Sequence, residues 1–120
     1  MDAEIARLVE RLEELGAASG FMEKLLAVFV SDNSTLLARM EQAMAGRNYA
    51  ELRSLMHAMK GSSASMGTDR LTAQCAALGR MSDAELRLQG AKLVRSLGEE
   101  FAAARGELER YLRTRRRSIG

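Results

Sequence analysis

The chain has 120 residues, which suit one domain and little else. Hydrophobic residues make up 47% and can form a core, but aromatics are only 4% and Trp and Pro are absent, so Leu, Met and Ala must pack an all-helical chain. The formal net charge is only +2, no apolar run approaches the roughly 20 residues of a membrane span, and nothing resembles a signal peptide, so a cytoplasmic chain without direct membrane insertion is expected.

The first segment, Asp2 to about Leu15, places Ile5, Leu8, Val9, Leu12 and Leu15 at helical spacing, with Asp2 as N-cap. Gly16 to Gly20 breaks this short helix, and Ser19 can cap the next. The second helix is predicted over about 19–45, stopping at Gly46. Its apolar stripe includes Met22, Leu25, Phe29, Leu36, Met40 and Met44 and is interrupted by Asn33. Asn33 suits either a hydrogen bond between helices or a site reached by water. The run Asp32, Asn33, Ser34, Thr35 has poor helix propensity and permits a local kink.

Asn48 is a natural N-cap for a third helix over about 48–66, with Gly67 as its left-handed stop. A fourth helix, about 68–80, aligns Leu71, Cys75 and Leu78 on one face. A single Cys closes no internal disulfide and finds no second Cys or further His for a zinc site, so Cys75 reads as a small core residue. Ser82 and Glu85 form a capping box that opens a long final helix, about 82–115. Leu86, Val94, Leu97, Phe101 and Leu108 lie on its apolar face, while Gly90, Gly98 and Gly106 either allow close helix approach or weaken it.

The end of the chain decides the sign of its charge. Through residue 109 there are 13 basic and 16 acidic residues, a net −3, and five arginines between Arg110 and Arg117 reverse it. Arginines there suit the C-terminal end of a helix dipole and a solvated helix end, and no nucleic-acid partner is expected. The periodicities predict an antiparallel up-down four-helix bundle, with the short N-terminal helix packed over one end, in a single domain over 1–120.

The only histidine lies in LRSLMHAMKGSSASMG, residues 52–67. Wound at about 100° per residue, Leu52, Leu55, Met56, Met59, Ser63 and Met66 fall within roughly 50° of one line, and His57 about 140° from it. A lone His on a helical chain is usually a surface residue of no consequence, and the wheel argues against burial. A functional imidazole is supported by Lys60 at i+3 and by Gly61 at i+4, where glycine costs on the order of 1 kcal/mol relative to alanine and opens the surface below the ring. Lys, Gly and Ser also occur in phosphate-cradling loops, but that pattern needs G-x-x-x-x-G-K-[ST] between a strand and a helix. Here the order is Lys-Gly-Ser-Ser inside a helix.

His57, Ala58, Met59, Lys60, Gly61, Ser62 and Ser63, followed by Gly67, Leu71, Cys75 and Leu78, resemble the signature of the histidine-containing phosphotransfer (HPt) domain, H-x-L-K-G-S-S with G, L, C and L downstream. Gly20, Phe21, Phe29, Asp32, Leu108 and Leu112 extend the resemblance over nearly the whole chain. Met59 replaces the usual Leu, a volume-conserving swap, and the connection after Leu78 is short.

The resemblance implies the same four-helix fold and a reversible phosphorelay. A receiver domain docks on the third helix, and His57 accepts a phosphoryl group from its phosphoaspartate and passes it to another receiver aspartate. It gives Lys60 the task of stabilising phosphoryl charge, and makes Arg53, Gly61 and Ala64 the partner-binding surface. The chain itself binds no cofactor, and Mg²⁺ is expected on the receiver. A sensor-kinase dimerisation domain also presents a helical His, but there an acidic residue follows directly and a Pro lies a few residues on; Ala58 and the lack of Pro disagree. A non-catalytic helical adaptor that docks a receiver without transfer remains the alternative. The chain is expected to be a monomer, and it resembles the HPt domain at the cytoplasmic C-terminus of a bacterial hybrid sensor histidine kinase, of the inner-membrane quorum-sensing type for fatty-acid signals.

Overall fold

The computed structural model describes residues 3, 4, 7, 10, 11 and 20–119, with side chains through residue 114. Four helices follow one another: α1 (Phe21–Ala45), α2 (Tyr49–Ser65), α3 (Asp69–Gly79) and α4 (Asp83–Ile119). There is no strand among the described residues. The connections are a few residues long and the helices alternate in direction. Helix α1 packs on α2 and α4, and α3 packs on the same two, giving a four-membered ring. The body measures 52 × 21 × 20 Å, and α4 sets its length: 37 residues rising 1.5 Å each span about 55 Å.

Each turn is built by local chemistry. At the end of α1 the Arg47 amide donates to the Met44 carbonyl at 3.1 Å and the Asn48 amide to the Ala43 carbonyl at 2.8 Å, the paired bonds of a Schellman motif. The left-handed residue is Arg47, with φ 54°. Gly46 was expected to be the stop, but it has φ −87° and lies one position too early. Asn48 then caps α2, its side chain accepting from the Glu51 amide at 3.1 Å. Helix α2 ends in a second Schellman motif, with Gly67 amide to Ala64 carbonyl at 3.1 Å and Thr68 amide to Ser63 carbonyl at 3.0 Å. Here the glycine, φ 70°, does take the left-handed position. The Ser82 capping box closes reciprocally at 3.0 and 3.1 Å. The Ser82 amide, donating to the Glu85 carboxylate, and secondarily the nearby Ser82 hydroxyl hold that carboxylate below its ordinary range.

The core is aliphatic and methionine-rich. Met40, Leu52, Met56, Met59, Leu86 and Leu97 are fully buried, and Phe29 meets Phe101 between α1 and α4 with ring centroids 5.6 Å apart. Helix α1 runs through residues 32–35 without interruption, and within it Asn33 and Thr35 hydrogen bond back to the carbonyls of Phe29 and Ser31. The predicted helix over 2–15 lies largely outside the described residues, as does Ser19; Ala3, Glu4, Arg7, Glu10 and Arg11 are helical. Glu10 sits close enough to α4 that its charge, after partial burial, helps raise the Tyr111 hydroxyl above its usual range. The last helix continues past residue 115 to Ile119. No described helix is long and apolar enough to cross a membrane.

Backbone strain and open space predict two stabilising changes. Arg47→Gly relieves a left-handed side chain, and Gly98→Ala adds a Cβ that meets nothing within 4 Å. Each should add about 0.5–1 kcal/mol to unfolding free energy measured in urea.

Burial pushes the Cys75 thiol up from 9.0 to about 11. The neutral thiol is thus favoured by the folded state. Its contribution is complete below pH 9 and is lost as pH rises through about 11. Over this interval the stability of Cys75→Ala should fall less steeply with pH than that of the wild-type chain.

Candidate functional site

Helix α2 commits Leu52, Leu55, Met56, Met59 and Ser63 to the core, and a helix that buries one stripe must show the opposite one to water. His57, Lys60, Gly61 and Ala64 are all exposed on that opposite side. The His57 imidazole makes no hydrogen bond or ion pair with any described residue, and neither does the Lys60 ammonium. One turn apart on the same face, they place a ring nitrogen and a cation together in solvent.

Gly61 separates internal from external causes. A Cβ built at Gly61 meets nothing within 4 Å, whereas one at Gly90 would fall 2.6 Å from the Met44 sulfur. Only the movable end of the Met44 side chain stands near Gly90, and packing inside the bundle gives no reason for Gly61. Gly98 also faces open space, and a Cβ at Gly106 would meet only the Arg110 guanidinium at 3.2 Å. The regular eight-residue spacing of these three thus unites unrelated environments.

Arg53 is drawn into the bundle's own architecture. Its Nε and Nη2 donate to the Met81 carbonyl at 3.3 and 3.0 Å, and Nη2 also pairs with the Asp83 carboxylate. The guanidinium pins the α3–α4 turn to α2 one turn before His57. It is half-buried, so much of its hydrogen-bonding capacity is taken up within the chain.

Beyond Lys60 the helix is held on both flanks. Ser62 Oγ accepts from Asn33 Nδ2 at 3.0 Å on the α1 side, and Ser63 Oγ lies 2.8 Å from Thr72 Oγ1 on the α3 side. Spacing alone does not find these pairs. A polar residue at a core phase, as at both Asn33 and Ser63, was the available signal.

His57, Lys60 and Gly61 stand exposed on the outer face of α2. A cavity of about 510 Å³ is lined by Ala3, Glu4, residues 68–71 and part of α4, and it includes none of His57, Lys60 or Gly61. Among the described residues no cluster of three or more His, Cys, Asp or Glu could hold a metal ion.

With this geometry in view, comparison with known proteins defines the family. The Hpt domain matches residues 24–114. The chain is 31% identical over 106 residues to "Pseudo histidine-containing phosphotransfer protein 2" of Oryza sativa subsp. japonica, covering 84% of this chain and 70% of that protein. It is 30% identical over 104 residues to "Histidine-containing phosphotransfer protein 4" of Arabidopsis thaliana, covering 83% and 82% respectively. No solved structure matches the chain. The chain belongs to the Hpt domain family, whose place is in two-component phosphorelay signalling.

Two substitutions separate the site's surface from its scaffold. Gly61→Ala should raise unfolding free energy by about 0.5–1 kcal/mol. Arg53→Ala should lower it by about 1 kcal/mol through loss of the tie to Met81 and Asp83. Urea unfolding of each variant checks both signs.

Proposed function

We propose that this chain is a phosphorelay intermediate that takes a phosphoryl group from a receiver-domain phosphoaspartate onto His57 and gives it to another receiver aspartate. The observation that carries the reading is Gly61: a helix-weakening residue with no internal contact to explain it, one turn beyond an exposed imidazole. Low relief at Gly61 and Ala64 lets a receiver's phosphorylated site close over the ring.

The neutral ring supplies a lone pair from Nε2, while Nδ1 keeps its proton. As the N–P bond forms, the aspartyl O–P bond breaks and the carboxylate leaves with the electron pair. Lys60, exposed on the same face, stands to balance negative charge spread over the phosphoryl oxygens. Mg²⁺, in this proposal, belongs to the receiver. Ala64 shapes the docking face, and Arg53 contributes to it mainly by fixing the α3–α4 turn beneath it. Attack in line requires the receiver to approach along the solvent direction of α2, which is the direction this face leaves open.

We further propose that the chain acts in the cytoplasm as a monomer, within or alongside a hybrid sensor kinase. The names of its relatives include both a histidine-containing phosphotransfer protein and a pseudo form, so likeness alone supports transfer and docking without transfer equally. The exposed imidazole favours transfer.

Incubation with a phosphorylated receiver should move acid-labile, base-stable label onto the chain. His57→Gln should abolish that label while leaving the helical content unchanged, and Lys60→Ala should slow transfer by about tenfold or more. Label on the His57→Gln variant would refute the assignment. A wild-type chain that binds receivers and never acquires label would establish the adaptor reading instead.

A further inference from the structure

Adjacent residues of α2 hold it to opposite neighbours. Asn33 Nδ2, which donates to Ser62 Oγ on the α1 side, is itself fixed by a second bond to the Phe29 carbonyl at 2.8 Å. On the α3 side, Thr72 Oγ1 donates to the Thr68 carbonyl at 3.0 Å, which leaves Ser63 Oγ as the donor to Thr72 Oγ1 at 2.8 Å, and the Thr68 hydroxyl donates to the Ser63 carbonyl at 2.9 Å. Consecutive helical residues point about 100° apart, so the two ties resist rotation of α2 about its axis in either sense.

The apolar contacts of α2 are less selective. Met56 and Met59 are buried in its core face, and methionine's flexible thioether refills space after a small shift. Directional hydrogen bonds do not tolerate the same slip. Stability alone does not account for the amide on α1. Asn33 is 0% exposed, and its Oδ1 is buried with no hydrogen-bond partner among the described residues, which disfavours asparagine there relative to an apolar residue.

Rotation of α2 is felt where the chemistry is. At the roughly 5–6 Å radius of a helix with its side chains, a turn of about 10° carries an outer atom about 1 Å. A misplacement of about 1 Å costs on the order of 100-fold in rate. Ser62 and Ser63 immediately follow Gly61 and lie within a turn of Lys60, so the ties act on the segment that presents the site.

We propose that Asn33 and Thr72 are positioning residues, which by clamping Ser62 and Ser63 set the rotation of α2 and so aim His57 and Lys60 at the incoming phosphoryl group. This rests on the reading of His57 as phosphoryl acceptor.

The test uses the full chain with Asn33→Leu, Thr72→Val and Thr72→Ser, the last keeping the hydroxyl. Each is assayed for single-turnover transfer from a phosphorylated receiver, for receiver affinity and for thermal midpoint. Labelling by phosphoramidate, a small donor that can meet the ring from any direction, supplies the control. Asn33→Leu and Thr72→Val should slow transfer from the receiver by about 10- to 100-fold. Affinity, phosphoramidate labelling and midpoint should hold, and Thr72→Ser should keep the wild-type rate.

Equal slowing with both donors, or slowing that follows the thermal midpoint, would make the pairs merely structural and overturn the proposal. Wild-type transfer rates in the folded variants would overturn it as well. Should Asn33→Leu fail to fold, Thr72→Val decides alone, as an isosteric change. A wild-type chain labelled by neither donor would instead sink the acceptor reading, and this proposal with it.

Discussion

A single helix cannot bury all its sides, and that constraint organises this protein. Once Leu52, Leu55, Met56 and Met59 turn inward between α1 and α3, the position of His57 follows from the angle between successive residues, with no dedicated loop or pocket needed. The bundle is in this sense a mount for one face of α2. Its other helices supply the apolar surface that makes the orientation worth keeping, and short capped turns prevent the helix from sliding along its axis.

The mount and the exposed face follow different chemistries. Inside, leucines and methionines fill space without polar demands, and Cys75 is an inert thiol held neutral by burial. Outside, the segment from His57 to Ala64 has small side chains and a lysine free of ion pairs with described residues. An exposed cation attracts phosphate without the desolvation cost of a buried one. Such a surface offers both charge and access.

How much of this was legible beforehand depended on the range of the interaction. Asn48, Gly67 and the Ser82–Glu85 pair act within four residues, so their roles could be read from spacing and are visible in the bonds they make. The exposure of His57 likewise follows from its own helix. Gly46 misled because a Schellman motif is counted from the last helical hydrogen bond, which puts the left-handed residue at Arg47. Asn33 could be recognised as anomalous in an apolar stripe, but its partner Ser62 is 29 residues away. Arg53 read as a surface cation because Met81 and Asp83 come near only after the chain has turned twice. The three glycines of α4 share a spacing and differ in their neighbours, which no single-helix pattern can distinguish.

Phosphorus NMR of the chain after exposure to a phosphorylated receiver, combined with nitrogen-15 shifts of the imidazole, tests the account most directly. It predicts a phosphoramidate resonance linked to a ring nitrogen of His57, arising as the receiver's acyl phosphate declines. A receiver that binds this face and loses its phosphate only to water, with the His57 ring signals unchanged, would contradict it.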